Sequence, residues 1–531
     1  MQKKIRWRAL AALSAVTALA LTGCSSGGDN GAGGDKEVIF VDAIGSNPPH
    51  LNSMLNTDSA THQIDSSIFD TIVEIDSAFN VYPSLATEWE VNADATQYTF
   101  KLRDDVKWHD GEPFTSADVK YNMEEVFKLH PLGAALDAVQ ESIETPDATT
   151  VIVKLKEPFA PYIEAMSSYK LLPKHLYEGT DVATNPANLA PIGTGPFKFT
   201  EFVEGDHITV VKNEEYWGGA SAIDKIIFKI MPDANARVLA LQSGEVDRIT
   251  SLFLDSAQTA TLAKDSNLYV SSSAKLPEVM TLFFNTRQGP LADAEVRKAL
   301  YAAIDREAVS KNALFGMGTP SRGPIPAVIE WAADPSVDFT KQFAFDPEAA
   351  GKALDAAGYP KGADGKRFSL DIHVASSLPT FVATTEVVKS SLESIGVEVK
   401  IMAEDLNVYV DQVHGKNSFD MAVMSFASYE DPSLGVSRLY VCNPENLAFR
   451  NPTGMCDAEL DQAFAAASQV ADRDERRKLF AVAEKRVAEL MHTVPLSDDM
   501  AQSVTRKDRW TGVDKFNSLV GFDWMALGVA K

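Results

Sequence analysis

From residue 37 to Lys531 the chain alternates strand-like and helix-like segments, with no internal repeat and no apolar run of the roughly 20 residues that a membrane span needs. Residues 37–43 (EVIFVDA) read as an opening strand, 97–102 (QYTFKL) alternate like a second, and 224–231 (DKIIFKIM) form a third. At Thr115 a hydroxyl is followed three positions on by Asp118 and then by helical spacing, a variant of the capping box with aspartate in place of glutamate. Asp233 opens a helix that Gly244 ends. Further helices are expected over 293–304, 347–357 and 384–394, and two more within 457–491, which contains Arg476, Arg477 and Lys478. Alternation of this kind predicts mixed α/β architecture with more than one sheet.

The N-terminus follows a different rule. Lys3, Lys4, Arg6 and Arg8 precede an apolar run over 9–21, and Thr22, Gly23 and Cys24 close it. This is the layout of a secretory signal. The cysteine directly after Thr-Gly resembles the lipobox of bacterial lipoproteins. That resemblance implies cleavage after residue 23, a diacylglycerol on the Cys24 thiol, and a body held outside the cytoplasm by lipid. An ordinary secretory signal with an incidental cysteine is the alternative. Residues 24–36 carry almost nothing apolar to bury and are expected to be a flexible tether, about 20 Å in root-mean-square span.

A 531-residue chain with 45% hydrophobic residues exceeds the usual size of one domain, so two large lobes, or one lobe with an insertion, are expected. The formal net charge of −25 argues against nucleic acid and against charge-driven docking on anionic lipid. With Cys24 lipidated, Cys442 and Cys456 remain, and outside the cytoplasm they most simply form a disulfide. A metal pair is the competing idea, but no histidine lies between them. Enzyme chemistry is missing: there is no HExxH, no GxSxG after a strand and no Walker-type loop. Thr194 and Lys198 in GTGPFK fail as a phosphate loop, because Pro196 lacks an amide N–H and no helix start follows. The nine histidines are scattered without metal-ligand spacing, so no catalytic residue, metal site or cofactor is expected.

Residues 82–119 (YPSLATEWEVNADATQYTFKLRDDVKWHDGEPFTSADV) closely resemble the signature region of the family 5 solute-binding receptors of ABC importers, which take up peptides and nickel complexes. Stretches at 191–219, 239–247, 283–306, 345–360 and 394–399 resemble the family in the same order. The resemblance implies a two-lobe, periplasmic-binding-protein-like α/β fold of type II, in its large form with an extra subdomain, joined by a hinge. It divides the chain into lobe I over 37–275, with the subdomain at about 80–185, lobe II over 276–496, and a return to lobe I over 497–531. The hinge passages are expected near 273–276 and 494–497. Most of the motif residues read as scaffold: Asp110-Gly111 as a turn, Trp108 and Trp217 as packing residues, Gly193 and Gly195 as points of backbone freedom before Pro196.

In peptide-binding relatives an extended peptide lies between the lobes, paired to protein strands, and an aspartate receives its N-terminal ammonium. The matching segment here is Ser425-Phe426-Ala427-Ser428-Tyr429-Glu430-Asp431-Pro432. Ser428 stands where the aspartate is expected, and Ser425 replaces a tryptophan. A buried ammonium without a carboxylate partner is costly, so Glu430 or Asp431 is the nearby substitute, unless both only shape the turn. The resemblance places Thr57, Ser59, Thr61 and His62 in the first-lobe loop of the cleft. It places Phe426, Ala427, Ser428, Tyr429 and Asp431 on the second lobe, with the Cys442–Cys456 bridge behind them. The function implied is a monomeric receptor that captures a small-molecule or peptide ligand, closes over it and docks on ABC permease subunits, while a lipid anchor holds it to the membrane. An oligosaccharide, a nickel chelate and an opine-like solute are the alternative ligands. A surface sensor, adhesin or chaperone is the alternative function.

Overall fold

The computed structural model describes residues 37–56, 58–130, 133–250, 253–272, 277–499, 502–516 and 522–531. The signal segment, Cys24, the tether, Thr57 and the expected passage at 273–276 lie outside the described residues. The opening strand is Ile39–Ile44, and the other two strands expected from alternation are Gln97–Leu102 and Lys225–Ile230. In Lys225–Ile230 the period of two is visible directly: Ile226, Phe228 and Ile230 are buried, and the residues between them are half-buried.

Two large sheets organise the body. The first has seven strands in the order Leu268–Ser272, Gln502–Arg506, Arg248–Ile249, Ile39–Ile44, Lys225–Ile230, His207–Lys212 and Phe197–Val203. The second has six, in the order Gly318–Pro320, Thr493–Asp499, Glu278–Phe284, Met421–Ala427, Phe368–Ala375 and Val397–Glu404. Its central strand, Glu278–Phe284 (EVMTLFF), is buried at every position after the first, as a strand covered on both faces requires. A separate antiparallel sheet of four strands, Ala86–Val91, Gln97–Leu102, Thr150–Leu155 and Gln140–Asp147, packs into the same core as the first sheet. The second sheet has its own core, built around Phe283, Ile372, Val423 and Phe480.

Helix ends follow the expected chemistry. Asp233 accepts from Ala236 N at 2.7 Å at the start of Ala234–Ser243, and Gly244 ends that helix at φ +81°. Asp118 accepts from Thr115 N at 2.9 Å at the start of Ser116–Tyr121. The helix expected at 384–394 begins earlier, at Pro379, where the missing N–H falls among the unpaired donors of the first turn. Gly193 and Gly195 do not occupy the left-handed region. They are glycines because a Cβ on either would lie 1.9 or 2.7 Å from the Ile68 carbonyl oxygen, and Gly195 N donates to that oxygen at 2.8 Å. Trp108 is buried against Phe114. Trp217 donates from Nε1 to Asp70 at 2.9 Å beneath the Arg103 guanidinium.

Cys442 and Cys456 are bonded, closing a loop across a separation of 14 residues. A loop of about 15 residues is worth about 3 kcal/mol in the chain-entropy treatment. Replacing both cysteines by alanine is expected to lower the unfolding free energy by about that amount, measured in denaturant titrations. An unchanged midpoint would show that the loop is held by its other contacts, such as Asp461 accepting from Cys442 N.

The chain passes between the two large sheets twice, between Ser272 and Glu278 and between Asp499 and Gln502. Residues 494–497, expected to carry the second passage, are internal to the strand Thr493–Asp499. Pairing with Glu278–Phe284 carries this strand through to Asp499, so the return falls a few residues later than the family resemblance implied.

Candidate functional site

In the register of the second sheet, Glu278 lies opposite both Ala427 and Asp499. The start of the central strand and the ends of its two neighbours therefore stand abreast. This is the edge at which the chain enters the sheet and leaves it, and the loop 428–431 projects from it.

That loop is tightly built. Ser428 is 2% exposed and its N–H donates to Pro277 O at 3.0 Å. Gly435 approaches so closely that a Cβ there would stand 2.2 Å from Ser428 O, and Tyr429 takes φ +53° to make the turn. Glu430 is buried and accepts a hydrogen bond from Ser168 Oγ, which lies between Met166 and Tyr169 of the first core. Burial pushes its carboxyl up to about 7, which the Ser168 bond only partly opposes. Asp431 has no exposed surface; it accepts from Arg476 Nη2 at 2.7 Å and from Ser433 N at 2.8 Å. Arg476 is itself buried, donates from Nε to Ala467 O at 2.8 Å, and lies over the Trp331 ring at 4.9 Å. Both acids of the loop are thus engaged by protein groups.

The facing side comes from the first core. Asp58 accepts from Thr61 N at 2.9 Å and caps the helix Ser59–Asp65, which carries His62 half-buried. Thr61 is fully buried and turns its hydroxyl to His50 O at 2.8 Å. His130 lies edge-on to Tyr169 at 5.1 Å, and burial, with His62 nearby, pushes its imidazole down to about 4. Direct bridges join the two sides. Glu164 pairs with Arg473 at 3.3 Å, and Ala160 N donates to Ser468 O at 2.7 Å. Leu434 packs into the first core.

The residues marked out by sequence separate into two groups. Thr57 lies outside the described residues. Thr61, Phe426, Ser428 and Asp431 are buried in structural roles, Phe426 edge-on to Phe283 at 5.6 Å. Ser59, His62, Ala427 and Tyr429 keep surface at the junction. The Tyr429 ring is backed by the Arg438 guanidinium at 5.1 Å. Sequence reasoning missed Ser168, Tyr169, His130 and Glu278. Glu278 is exposed and accepts from Ser425 Oγ at 3.0 Å. Its one sequence signal is an acid opening an otherwise apolar strand. Among the described residues no three His, Cys, Asp or Glu are arranged to hold a metal ion, and no helix is long and apolar enough to cross a membrane.

Comparison with known proteins adds the following. A sequence profile of the bacterial extracellular solute-binding proteins, family 5 Middle, matches residues 80–446. The oligopeptide-binding protein AppA of Bacillus subtilis is 28% identical over 516 residues, 92% of each chain. A putative ABC transporter peptide-binding protein of Brucella ovis is 30% identical over 376 residues, 68% of each. Among solved structures, NikA from Brucella suis in complex with Fe(III)-EDTA aligns with a TM-score of 0.80 at 25% identity, covering 93% of this chain and all of that one.

Proposed function

The chain belongs to the bacterial extracellular solute-binding proteins, family 5, and from that premise we propose that it captures peptides or peptide-like solutes between its two lobes and delivers them to the permease of an ABC importer. The observation that carries the reading is the full-length likeness to an oligopeptide-binding protein, 92% of each chain. As a member of this family it is a transport receptor and not an enzyme.

The finer assignments follow from the same premise. Lobe I spans 37–275 with its subdomain at about 80–185, lobe II follows to the end of the strand Thr493–Asp499, and the remainder returns to lobe I. Cys24 carries a lipid anchor, the tether 24–36 lets the body reach its permease, and the protein works as a monomer. The ligand lies at the junction against Ser59, His62, Ala427 and Tyr429, whose surfaces remain open to it. Contacts to both lobes favour the closed form over the open one.

A second reading rests on a specific observation. Ser428 brings no charge, and Glu430 and Asp431 are engaged by Ser168 and Arg476. A solute without a free amine, such as a metal chelate or an opine-like compound, fits a loop so neutralised. Thermal shift of the full chain in detergent separates the two readings, using di- to pentapeptides, their N-acetylated forms, oligosaccharides and nickel with free histidine. The peptide reading expects stabilisation of several degrees by free peptides at concentrations well above their Kd. Stabilisation only by chelates, sugars or capped compounds would reject it.

A further inference from the structure

Among the described residues Glu278 is a carboxylate without a cation. It is exposed, and its one hydrogen bond comes from the neutral Ser425 hydroxyl at 3.0 Å. Among the described residues no Lys, Arg or His nitrogen lies within 4 Å of it. It nonetheless stands in crowded surroundings: burial raises its carboxyl above the usual range, and its charge reaches the Tyr429 hydroxyl. Its position is set by the register of the second sheet. Glu278 is the first residue after the passage between the sheets and sits in register with Ala427, one residue before Ser428. Pro277, its chain neighbour, takes the Ser428 N–H at 3.0 Å.

Several other charged groups of the region are committed. Glu430 is held by Ser168, Asp431 by Arg476, and Glu164 by Arg473. Arg438 donates to Gly435 O at 3.0 Å beneath the Tyr429 ring. A lone carboxylate beside an aromatic wall, partly removed from water, binds an ammonium through charge-assisted hydrogen bonds that bulk water cannot match. We propose that Glu278 receives the primary ammonium group of the bound solute, one strand away from the uncharged Ser428. This rests on the ligand lying at the junction of the lobes.

The test is retention of an equimolar pool of tripeptides, free or N-acetylated, by the full chain in equilibrium dialysis with mass-spectrometric readout. Wild type is expected to retain free tripeptides and not acetylated ones. Glu278→Gln is expected to bind the free pool roughly 10- to 100-fold more weakly, with Glu278→Asp partly restoring it. Melting of Glu278→Gln should match wild type, because the side chain is exposed and makes no ion pair. Retention of free peptides unchanged in Glu278→Gln would overturn the assignment while leaving the peptide-receptor reading intact. Equal retention of free and acetylated pools by wild type would do the same. If wild type retains neither pool, the reading and the assignment fall together.

Discussion

Arg476→Met is expected to destabilise the protein by about 3–5 kcal/mol, the loss that follows when one partner of a buried ion pair is removed. Arg476 is 1% exposed and its partner Asp431 has no exposed surface. The methionine fills much of the volume against Trp331 and Phe480 but leaves Asp431 in the interior without its cationic partner. A second acid makes the site worse. Glu164 is raised first by burial and then by the charge of Asp431, and Arg476 and Arg473 are what pull it back. Denaturant titration of wild type and variant, with m-values compared, measures the effect. Asp431→Asn in the Arg476→Met background is expected to recover part of the loss, since the uncompensated charge is then gone. A change below about 1 kcal/mol in the single variant would show that the pair is solvated or redundant. Because Asp431 also accepts from Ser433 N, the same substitution loosens the loop 428–431 and is expected to weaken ligand binding.

The stability that Glu430 contributes is expected to be lost as pH rises from about 4.5 to about 7, against the opposite contribution of buried histidines such as His130, whose imidazole burial pushes down to about 4. Burial moves the Glu430 carboxyl from an ordinary 4.5 up to about 7. Between those values the folded chain holds a proton that the unfolded chain has released, so folding is favoured at the acid end and the advantage disappears on ionisation. For this one group the change is on the order of 3 kcal/mol. Asp498 and Glu484, raised by burial to about 6 and about 8, act in the same direction. Unfolding free energies at pH 5 and pH 8 for wild type and Glu430→Gln test the assignment. Between those two pH values the wild type should lose about that amount of stability relative to the variant. Identical slopes would place the pH dependence elsewhere. Ser168 and Glu430 lie 262 residues apart, so the proton that stabilises the fold also sits on a contact between remote segments.

Why some of this was legible in the sequence and some was not comes down to distance along the chain. The alternation of Lys225–Ile230, the aspartate and glycine bounding Ala234–Ser243 and the Thr115–Asp118 cap are decided within a few residues. Local sterics and backbone hydrogen bonding fix them, so the α/β class, most element positions and the scaffold role of the signature motif could be read directly. The pairing of Cys442 with Cys456 was equally accessible, because only two cysteines were left to pair.

The fate of each acid around the loop 428–431 was of another kind. Glu430 reads the same in sequence whether it faces a ligand or Ser168, which lies 262 residues away. Asp431 is disposed of by Arg476, 45 residues on, and Thr61 is withdrawn from the junction by the His50 carbonyl. Glu278 gains its place beside Ala427 only through strand register, and its hydrogen-bond partner among the described residues, Ser425, is 147 residues distant. The sequence by itself determined the fold class and the family, since these follow from local periodicity and ordered motifs. Only the tertiary structure decided which charges around the loop 428–431 are neutralised and which remain open, because a side chain's availability depends on partners that packing brings from remote segments.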